Sequence, residues 1–309
     1  MFKLHIDILD RPHWEDLFAQ AGPSALVQSW AYGEVKRAEG WAPRRILITR
    51  NDTPVALAQV LEKRIGGVIR LARLNRGPVW IAPLDDDDKL AVLAALRRPW
   101  RLWRAAALFV APEIDQELAP RLGMIRRNAP LWGSAWIDLS HPADHLRKSL
   151  DGKWRNMLVG AEKAGLSAEI SHQEPARTWL MQRYAELMRD KSFTGMPPAQ
   201  IDALAQVLNR PRDLLTIRAL SPDGEAVGGI LLACHGTAAT YLVGWNGDVG
   251  RKMKANNFLL WQAILALQAQ GCRWFDLGGI DDQLTPGIAS FKRGMKGQEY
   301  RLAGEFLSL

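Results

Sequence analysis

Cysteine is almost absent from this chain: Cys234 and Cys272 are the two among 309 residues. They do not form a CxxC pair. His235 adjoins Cys234, but neighbouring strand residues point to opposite faces and would not share a metal. A disulfide framework and a zinc site are therefore not expected, and a reducing cytoplasm is the natural setting. Long apolar runs are missing too. The nearest approach, Leu90 to Val110, is cut by Arg97, Arg98, Arg101 and Arg104, well short of the roughly 18 uncharged residues of a membrane helix. Met1 to Asp10 alternates apolar and polar residues and carries charge, so it reads as a strand and not as a signal peptide. No G-x-G-x-x-G and no Walker loop occurs, and none of the six histidines stands in a nucleophile motif of the Ser-His-Asp kind. Four consecutive aspartates (Asp85 to Asp88) point in different directions. They suit a helix N-terminus, where negative charge is favoured, better than a metal. No metal and no cofactor is expected.

What the chain does have is the composition of an ordinary globular protein, 48% hydrophobic and 24% charged, with a net charge of +7. Its length allows two domains of about 150 residues. Arginine clusters at Arg44-Arg45, Arg97-Arg98 and Arg126-Arg127. This excess suits an anionic partner, whether nucleic acid, a phosphorylated metabolite or an acidic membrane surface. It equally suits mere solubility, and a peripheral membrane contact stays open beside the others.

Along the first half, residues 2–9 read as an edge strand, followed by helices over Pro12 to Ala21 and Gln28 to Gly40. Three antiparallel strands (43–50, 54–64, 67–74) are joined by Asn51-Asp52 and Gly66-Gly67 turns. A helix over Lys89 to Leu96 and a strand over 105–111 complete a mixed sheet. Asn128, Pro130 and Gly133 mark a boundary. Beyond it lies a basic helical stretch with Lys148, Lys153, Arg155 and Glu162. Lys148, Arg155 and Glu162 recur every seven residues, which predicts that part of this charge shares one face. That face is either solvated surface or a cationic strip for a phosphate backbone.

The second half converges on Tyr241 to Gly297. The pattern predicts a strand (Thr240 to Trp245), a basic loop (Gly250 to Asn257), a helix (Phe258 to Gln270) and a strand (Arg273 to Leu277). The glycines Gly278 and Gly279 follow, then a loop with Pro286, Gly287, Phe291, Lys292, Arg293 and Gly294. The helix rests on Leu260, Trp261, Ile264, Leu265 and Leu267 at helical spacing, with Gly271 as its stop. With triads and metals set aside, the remaining chemistry is direct attack of an amine or hydroxyl on an activated acyl group, with a cation stabilising the oxyanion. A lysine in a glycine-flanked loop fits that task.

This order resembles the acetyltransferase superfamily, whose loop Q/R-x-x-G-x-G/A before a helix cradles a coenzyme A pyrophosphate. Here Arg251 begins such a loop, but Lys254 and Asn256 stand where its glycines belong, so a pyrophosphate could not approach the backbone closely.

A wider set of stretches resembles the Fem-type aminoacyltransferases, the FemABX group, over nearly the whole length and in the right order. They are Gln28-Ser29-Trp30 with Lys36 and Gly40-Trp41; Arg76-Gly77-Pro78; Lys153-Trp154-Arg155-Asn156 with Ala161, Glu162 and Gly165; Tyr241 with Gly244; Phe275-Asp276-Leu277-Gly278-Gly279; and Pro286-Gly287 with Phe291-Lys292-Arg293-Gly294 and Gly297. The resemblance implies an α+β protein of two tandem acetyltransferase (GNAT)-like domains, mixed sheets flanked by helices, roughly 1–130 and 131–309. The last strand, Gln298 to Leu307, would return to the first domain. It further implies an aminoacyltransferase with aminoacyl-tRNA as donor and a peptidoglycan precursor or small amine as acceptor. Lys292 would stabilise the tetrahedral intermediate, beside Phe291 at the aminoacyl end. Asp276 stands as a further catalytic candidate, or as a turn cap. Lys36 would meet the precursor's phosphates, with Tyr241, Trp30 and Arg251 also placed at substrate, and Lys148, Lys153 and Arg155 on tRNA. Where the family often has an acid before proline, this chain has Ala111-Pro112, and Glu113 is the nearest substitute. Two other readings stay open: a coenzyme A-dependent N-acyltransferase of envelope or polysaccharide metabolism, and a non-catalytic RNA-binding protein.

Overall fold

The structure, a computed structural model, describes residues 2–191, 195–208, 210 and 213–309. Met1, named above at the start of the first strand, lies outside them. The chain divides into two compact units, Met1–Gly133 with Tyr300–Leu309, and Ser134–Glu299.

In the first unit β1 (Phe2–Ile6) precedes α1 (Arg11–Gln20) and α2 (Trp30–Ala38). Ser29 caps α2 through its side chain, which accepts from the Tyr32 amide. Then β2 (Ala42–Arg50), β3 (Thr53–Ile65) and β4 (Ile69–Gly77) run antiparallel in register. Asn51, Asp52, Gly66 and Gly67 all have positive φ, as tight hairpin turns demand. The short β5 (Val79–Trp80) pairs with β3. In α3 (Asp86–Leu96) Asp85 is the N-cap, accepting from the Asp88 amide. The remaining aspartates turn to separate partners: Asp86 to Lys89, Asp87 to Arg121 and Asp88 to Arg50. Next, β6 (Ala106–Pro112) lies parallel to β4, and β7 (Ile125–Arg126) follows. The core of this unit is built from Ile46, Ile48, Leu74, Leu93, Trp100 and Leu108, all buried.

The second unit starts with β8 (Gly133–Asp138) and continues through α4 (Ala143–Ser149), α5 (Gly152–Lys163), β9 (Ser167–Ser171), α6 (Glu174–Lys191) and α7 (Pro198–Val207). A meander of β10 (Leu214–Leu220), β11 (Ala226–His235) and β12 (Ala238–Asn246) comes next. It leads to α8 (Asp248–Lys252), α9 (Ala255–Ala269), β13 (Trp274–Asp276), α10 (Pro286–Arg293) and β14 (Gln298–Arg301). Among the described residues the sheet order is β14-β8-β13-β12-β11-β10-β9, with β12 and β13 parallel. A Cβ on Gly228 would meet Leu259 of α9, and one on Gly229 would meet Trp179 and Leu180 of α6. Because adjacent strand residues face opposite ways, α9 and α6 cover opposite faces of the sheet. Helix α9 is buried nearly all round, with Phe258, Leu259, Leu260, Trp261, Ile264 and Leu267 in the core beside Trp154 and Leu158 of α5. Each such side chain contributes about 1.5–3 kcal/mol by leaving water.

The chain ends in β15 (Phe306–Ser308), which pairs antiparallel with both β6 and β7 and so completes the first sheet. The expected long final strand is two short ones, because Ala303 and Gly304 interrupt it; Gly304 has φ +103°. Three other expectations need correction. The basic loop 250–257 is mostly helical. The segment carrying Lys292 is a helix, α10. And the basic stretch 147–163 is two helices: Leu150 is extended (ψ 145°) and Asp151 caps α5 by accepting from the Lys153 and Trp154 amides.

Candidate active site

The parallel pair β12 and β13 is in register from Ala238 opposite Trp274 to Thr240 opposite Asp276, and there it stops. Beyond that point β12 continues, with a bulge between its Tyr241 and Val243 pairings to β11. The other strand turns away: the Leu277 amide bonds to the Ala135 carbonyl. Two parallel strands that part midway leave backbone groups of both facing a gap.

The glycines shape that gap. Gly278 has φ +64°, and a Cβ there would lie 2.6 Å from the Tyr241 carbonyl oxygen. Only glycine permits both the conformation and the approach. At Gly244 a Cβ would lie 2.0 Å from the Tyr241 hydroxyl, so glycine there makes room for the phenol.

Lys292 on α10 enters the gap. Its ammonium donates to the carbonyls of Gly278 and Gly279, the latter at 2.8 Å, and lies over the Tyr241 ring at 5.3 Å from its centre. The side chain is buried, with 9% exposed. Burial pulls its pKa down to about 8, and the nearby Asp276 carboxylate opposes that fall. Asp276 itself is fully buried and accepts from the Ser134 hydroxyl and the Gly278 amide. Its observed bonds cap the turn that presents the two carbonyls. Burial pushes the Tyr241 phenol pKa up, and Tyr184 of α6 adds to the effect. The phenol therefore keeps its proton at neutral pH.

Helix α10 is fixed at its end. Phe291 packs against Trp154 with ring centres 5.9 Å apart and planes tilted by 31°, and a Cβ on Gly294 would meet the same indole at 2.6 Å. Arg293 is held by Asp282 and Glu299 together, which raises its pKa further. Ser134 and Tyr184 carry no motif of their own; their signal is spatial.

Of the residues singled out from sequence, the second unit thus brings together Lys292, Phe291, Asp276 and Tyr241. Arg251 is on α8, paired with Asp248 and donating to the Asn246 carbonyl at 2.6 Å. Gly250 beside it is buried, and Lys254 adopts a left-handed conformation (φ 62°) as the N-cap of α9. A helical turn therefore occupies the place where a pyrophosphate loop is expected. Lys148 and Lys153 are exposed on α4 and α5. Arg155 donates to the Lys148 carbonyl, and Glu162 takes Arg147 in a two-pronged pair. The seven-residue spacing does not make a single strip, since two helices meet at the Leu150 break.

Trp30 and Lys36 belong to the first unit. Trp30 is half-buried beneath the Arg45 guanidinium, 3.3 Å from its ring centre. Lys36 holds both carboxylate oxygens of Glu39 and lies over the Tyr32 ring. Next to it Arg37, Trp41, Glu62, Lys63 and Arg64 line an open cavity of ≈ 390 Å³. Glu113 is engaged by both prongs of Arg76, which also donates to the Tyr300 hydroxyl. Among the described residues no three His, Cys, Asp or Glu side chains are grouped to hold a metal, and no helix is long and apolar enough to cross a membrane.

Residues 145–293 match the acetyltransferase (GNAT) domain family. The chain is 22% identical to the lipid II:glycine glycyltransferase of Staphylococcus saprophyticus, over 90% of this chain and 85% of that protein. The crystal structure of FemX superposes with a TM-score of 0.81 at 17% identity, covering 99% of this chain and 97% of that one. A tandem GNAT protein from the clavulanic acid biosynthesis pathway superposes with a TM-score of 0.51 at 15% identity, covering 99% of this chain and 98% of that one. The fold is thus the tandem acetyltransferase fold, and the parted strands β12 and β13 lie within the matched domain.

Proposed function

We propose that this chain, a Fem-type acyltransferase of tandem acetyltransferase fold, transfers an amino acid from an aminoacyl ester, carried by tRNA, to the amine of a lipid-linked peptidoglycan precursor. The observation that carries the reading is Lys292, a buried cation at the point where β12 and β13 part. In the reaction the acceptor amine attacks the ester carbonyl, and negative charge develops on its oxygen. The Lys292 ammonium stabilises that oxygen in a site with little water, where such a donor contributes most. The tetrahedral intermediate then expels the ribose oxygen, which takes a proton originating from the amine, and an amide replaces the ester. Asp276 and Ser134 hold the Gly278 turn and so position the carbonyls that orient the lysine. Phe291, braced on Trp154, forms the wall beside it. Lys36 takes the acceptor's phosphates, exchanging its present contact with Glu39.

The likeness to the lipid II:glycine glycyltransferase supports the acceptor class. Against a coenzyme A donor stand Lys254 and the helical turn α8, which deny a pyrophosphate the close backbone approach of a glycine loop. The test is incubation of the purified protein with a pool of charged tRNAs and with lipid-linked and soluble precursors, followed by mass spectrometry of the products. An acceptor gaining one amino acid residue is the expected result. Acylation from acetyl coenzyme A instead, together with micromolar affinity for coenzyme A by calorimetry, would overturn the donor assignment.

A further inference from the structure

One end of the first unit presents apolar side chains to solvent within a field of arginines. The β3–β4 hairpin closes through Gly66 and Gly67, with Ile65 paired to Ile69. The loop before β6 reaches the same place: the Arg70 amide donates to the Ala105 carbonyl at 2.9 Å and its guanidinium to the Pro99 carbonyl at 3.1 Å. The hairpin with Ile65, Val68 and Ile69 is thus tied through Arg70 to the segment that carries Leu102 and Trp103. Among the described residues none of the five joins the hydrophobic cores, and Val68 is 72%, Leu102 66% and Trp103 76% exposed. A cluster of large exposed apolar groups on one edge marks an interaction surface, in contrast to apolar residues scattered singly.

Residues 63–70 and 97–106 together contain seven lysines or arginines and no acidic residue. Arg70 is met by Glu62, and Arg97 turns to the Ser308 hydroxyl. Among the described residues Arg64, Arg98, Arg101 and Arg104 have no ion-pair partner. The Arg104 guanidinium lies over the Trp103 ring, 4.6 Å from its centre. An indole with a cation above it matches the boundary of a bilayer, where the ring enters the headgroup region and the cation meets phosphate.

We propose that this edge docks the protein onto an anionic phospholipid bilayer. The hairpin tip and the Leu102-Trp103 loop enter the interface, and the unpartnered arginines hold lipid phosphates. Charge decides between this and the other occupants. A second copy of the chain would set one cationic edge against another, which like charges oppose. A nucleic acid backbone would satisfy the arginines but leave Ile65, Val68, Ile69 and Leu102 without bases to stack, since aliphatic side chains have no π face. An anionic lipid surface offers acyl carbon and negative charge together. This docking stands apart from acyl transfer, because it concerns where the protein rests, and its test needs neither donor nor acceptor.

The experiment is co-sedimentation of the full chain with phosphatidylcholine vesicles, with and without phosphatidylglycerol, at low and raised salt. Binding to the anionic vesicles should be roughly tenfold or more tighter than to neutral ones and should weaken with salt. The double variant Val68→Asp, Trp103→Asp should lose roughly tenfold or more of that affinity, and Arg98→Glu with Arg104→Glu should do likewise. These positions are exposed, so thermal midpoints should match the wild type. Failure of the wild type to bind anionic vesicles, or undiminished binding by both double variants, would overturn the proposal. So would a concentration-dependent dimer that Val68→Asp, Trp103→Asp abolishes in the absence of vesicle binding; that outcome assigns the edge to self-association.

Discussion

The Lys292 ammonium lies over the ring of Tyr241, 5.3 Å from its centre, while bonded to the carbonyls of the glycine turn that packs on the Tyr241 backbone. One residue thus supplies a cation, and the other the wall and floor against which that cation is held. Neither position works without Gly278, whose Cβ-free backbone lets the turn approach β12.

From this follows a pH dependence with a definite sign. The working form proposed for Lys292 is the ammonium, and burial brings its pKa to about 8 from the usual 10.5. Turnover should be flat below that pH and fall about tenfold per unit above it. A lysine acting as a neutral base would give the opposite limb, so the kcat profile distinguishes the two. Lys292→Met should cut turnover by roughly 100-fold or more, as removal of one oxyanion donor does. Stability should move the other way. Between about 8 and 10.5 the unfolded chain holds this proton more tightly than the folded one, so the folded state gains stability as pH rises. The gain approaches about 3 kcal/mol across that window and is lost as pH falls back through 8. Unfolding free energies of wild type minus Lys292→Met, measured across the window, should show that slope; a flat difference would contradict the burial of a charged lysine.

A pair of glycine substitutions should have opposite effects. At Gly250 a Cβ would lie 2.3 Å from the Val227 carbonyl oxygen, a backbone atom that cannot step aside. Gly250→Ala should therefore destabilise by about 1–3 kcal/mol. At Gly160, within α5, a Cβ would meet nothing within 4 Å. Gly160→Ala should stabilise by about 0.5–1 kcal/mol, the difference in helix propensity. Denaturant titrations read both, and equal effects would refute the close seating of α8 on β11.

Much of this site was legible because local signals and spatial roles coincided. Asn51-Asp52 and Gly66-Gly67 declare hairpins, since both need positive φ and both have it. The strand–glycine–lysine order around Asp276, Gly278 and Lys292 survives into the structure because the glycines are there for steric reasons. The pattern around Lys292 predicts a loop, although Pro286 occupies the first turn of α10 and Gly294 caps its end. Proline and glycine signal breaks in a sequence, and here they bracket one helix. The divided helix at 147–163 misled for a different reason. A seven-residue charge spacing assumes unbroken helix, and the signal against it was Asp151, a capping residue hidden within a basic run. What no local pattern carries is tertiary proximity. Ser134 meets Asp276 across two strands, and Cys234 lies 3.9 Å from Cys272, though 38 residues separate them.

The last prediction concerns the donor. If α4 and α5 receive a tRNA backbone, the contacts fall on Lys148 and Lys153, which are exposed, and not on Arg155, whose guanidinium bonds to the Lys148 carbonyl. Among the described residues Lys148 has only Asp144 as an ion-pair partner, at 3.6 Å and on a side chain 73% exposed, so a phosphate can displace it readily. Binding of charged tRNA must then release condensed counterions, and log affinity should fall with log salt at about −0.7 to −0.9 per phosphate neutralised. Reversing both charges, Lys148→Glu with Lys153→Glu, should flatten that slope by roughly one to two units. Uncharged and charged tRNA should lose the same increment, because backbone contacts do not read the attached amino acid. Lys292→Met, which changes a buried side chain of α10 and no exposed charge of these helices, should leave the slope unchanged while turnover falls. An unaltered slope in the double reversal would remove α4 and α5 from the donor site and leave their charge as solvated surface.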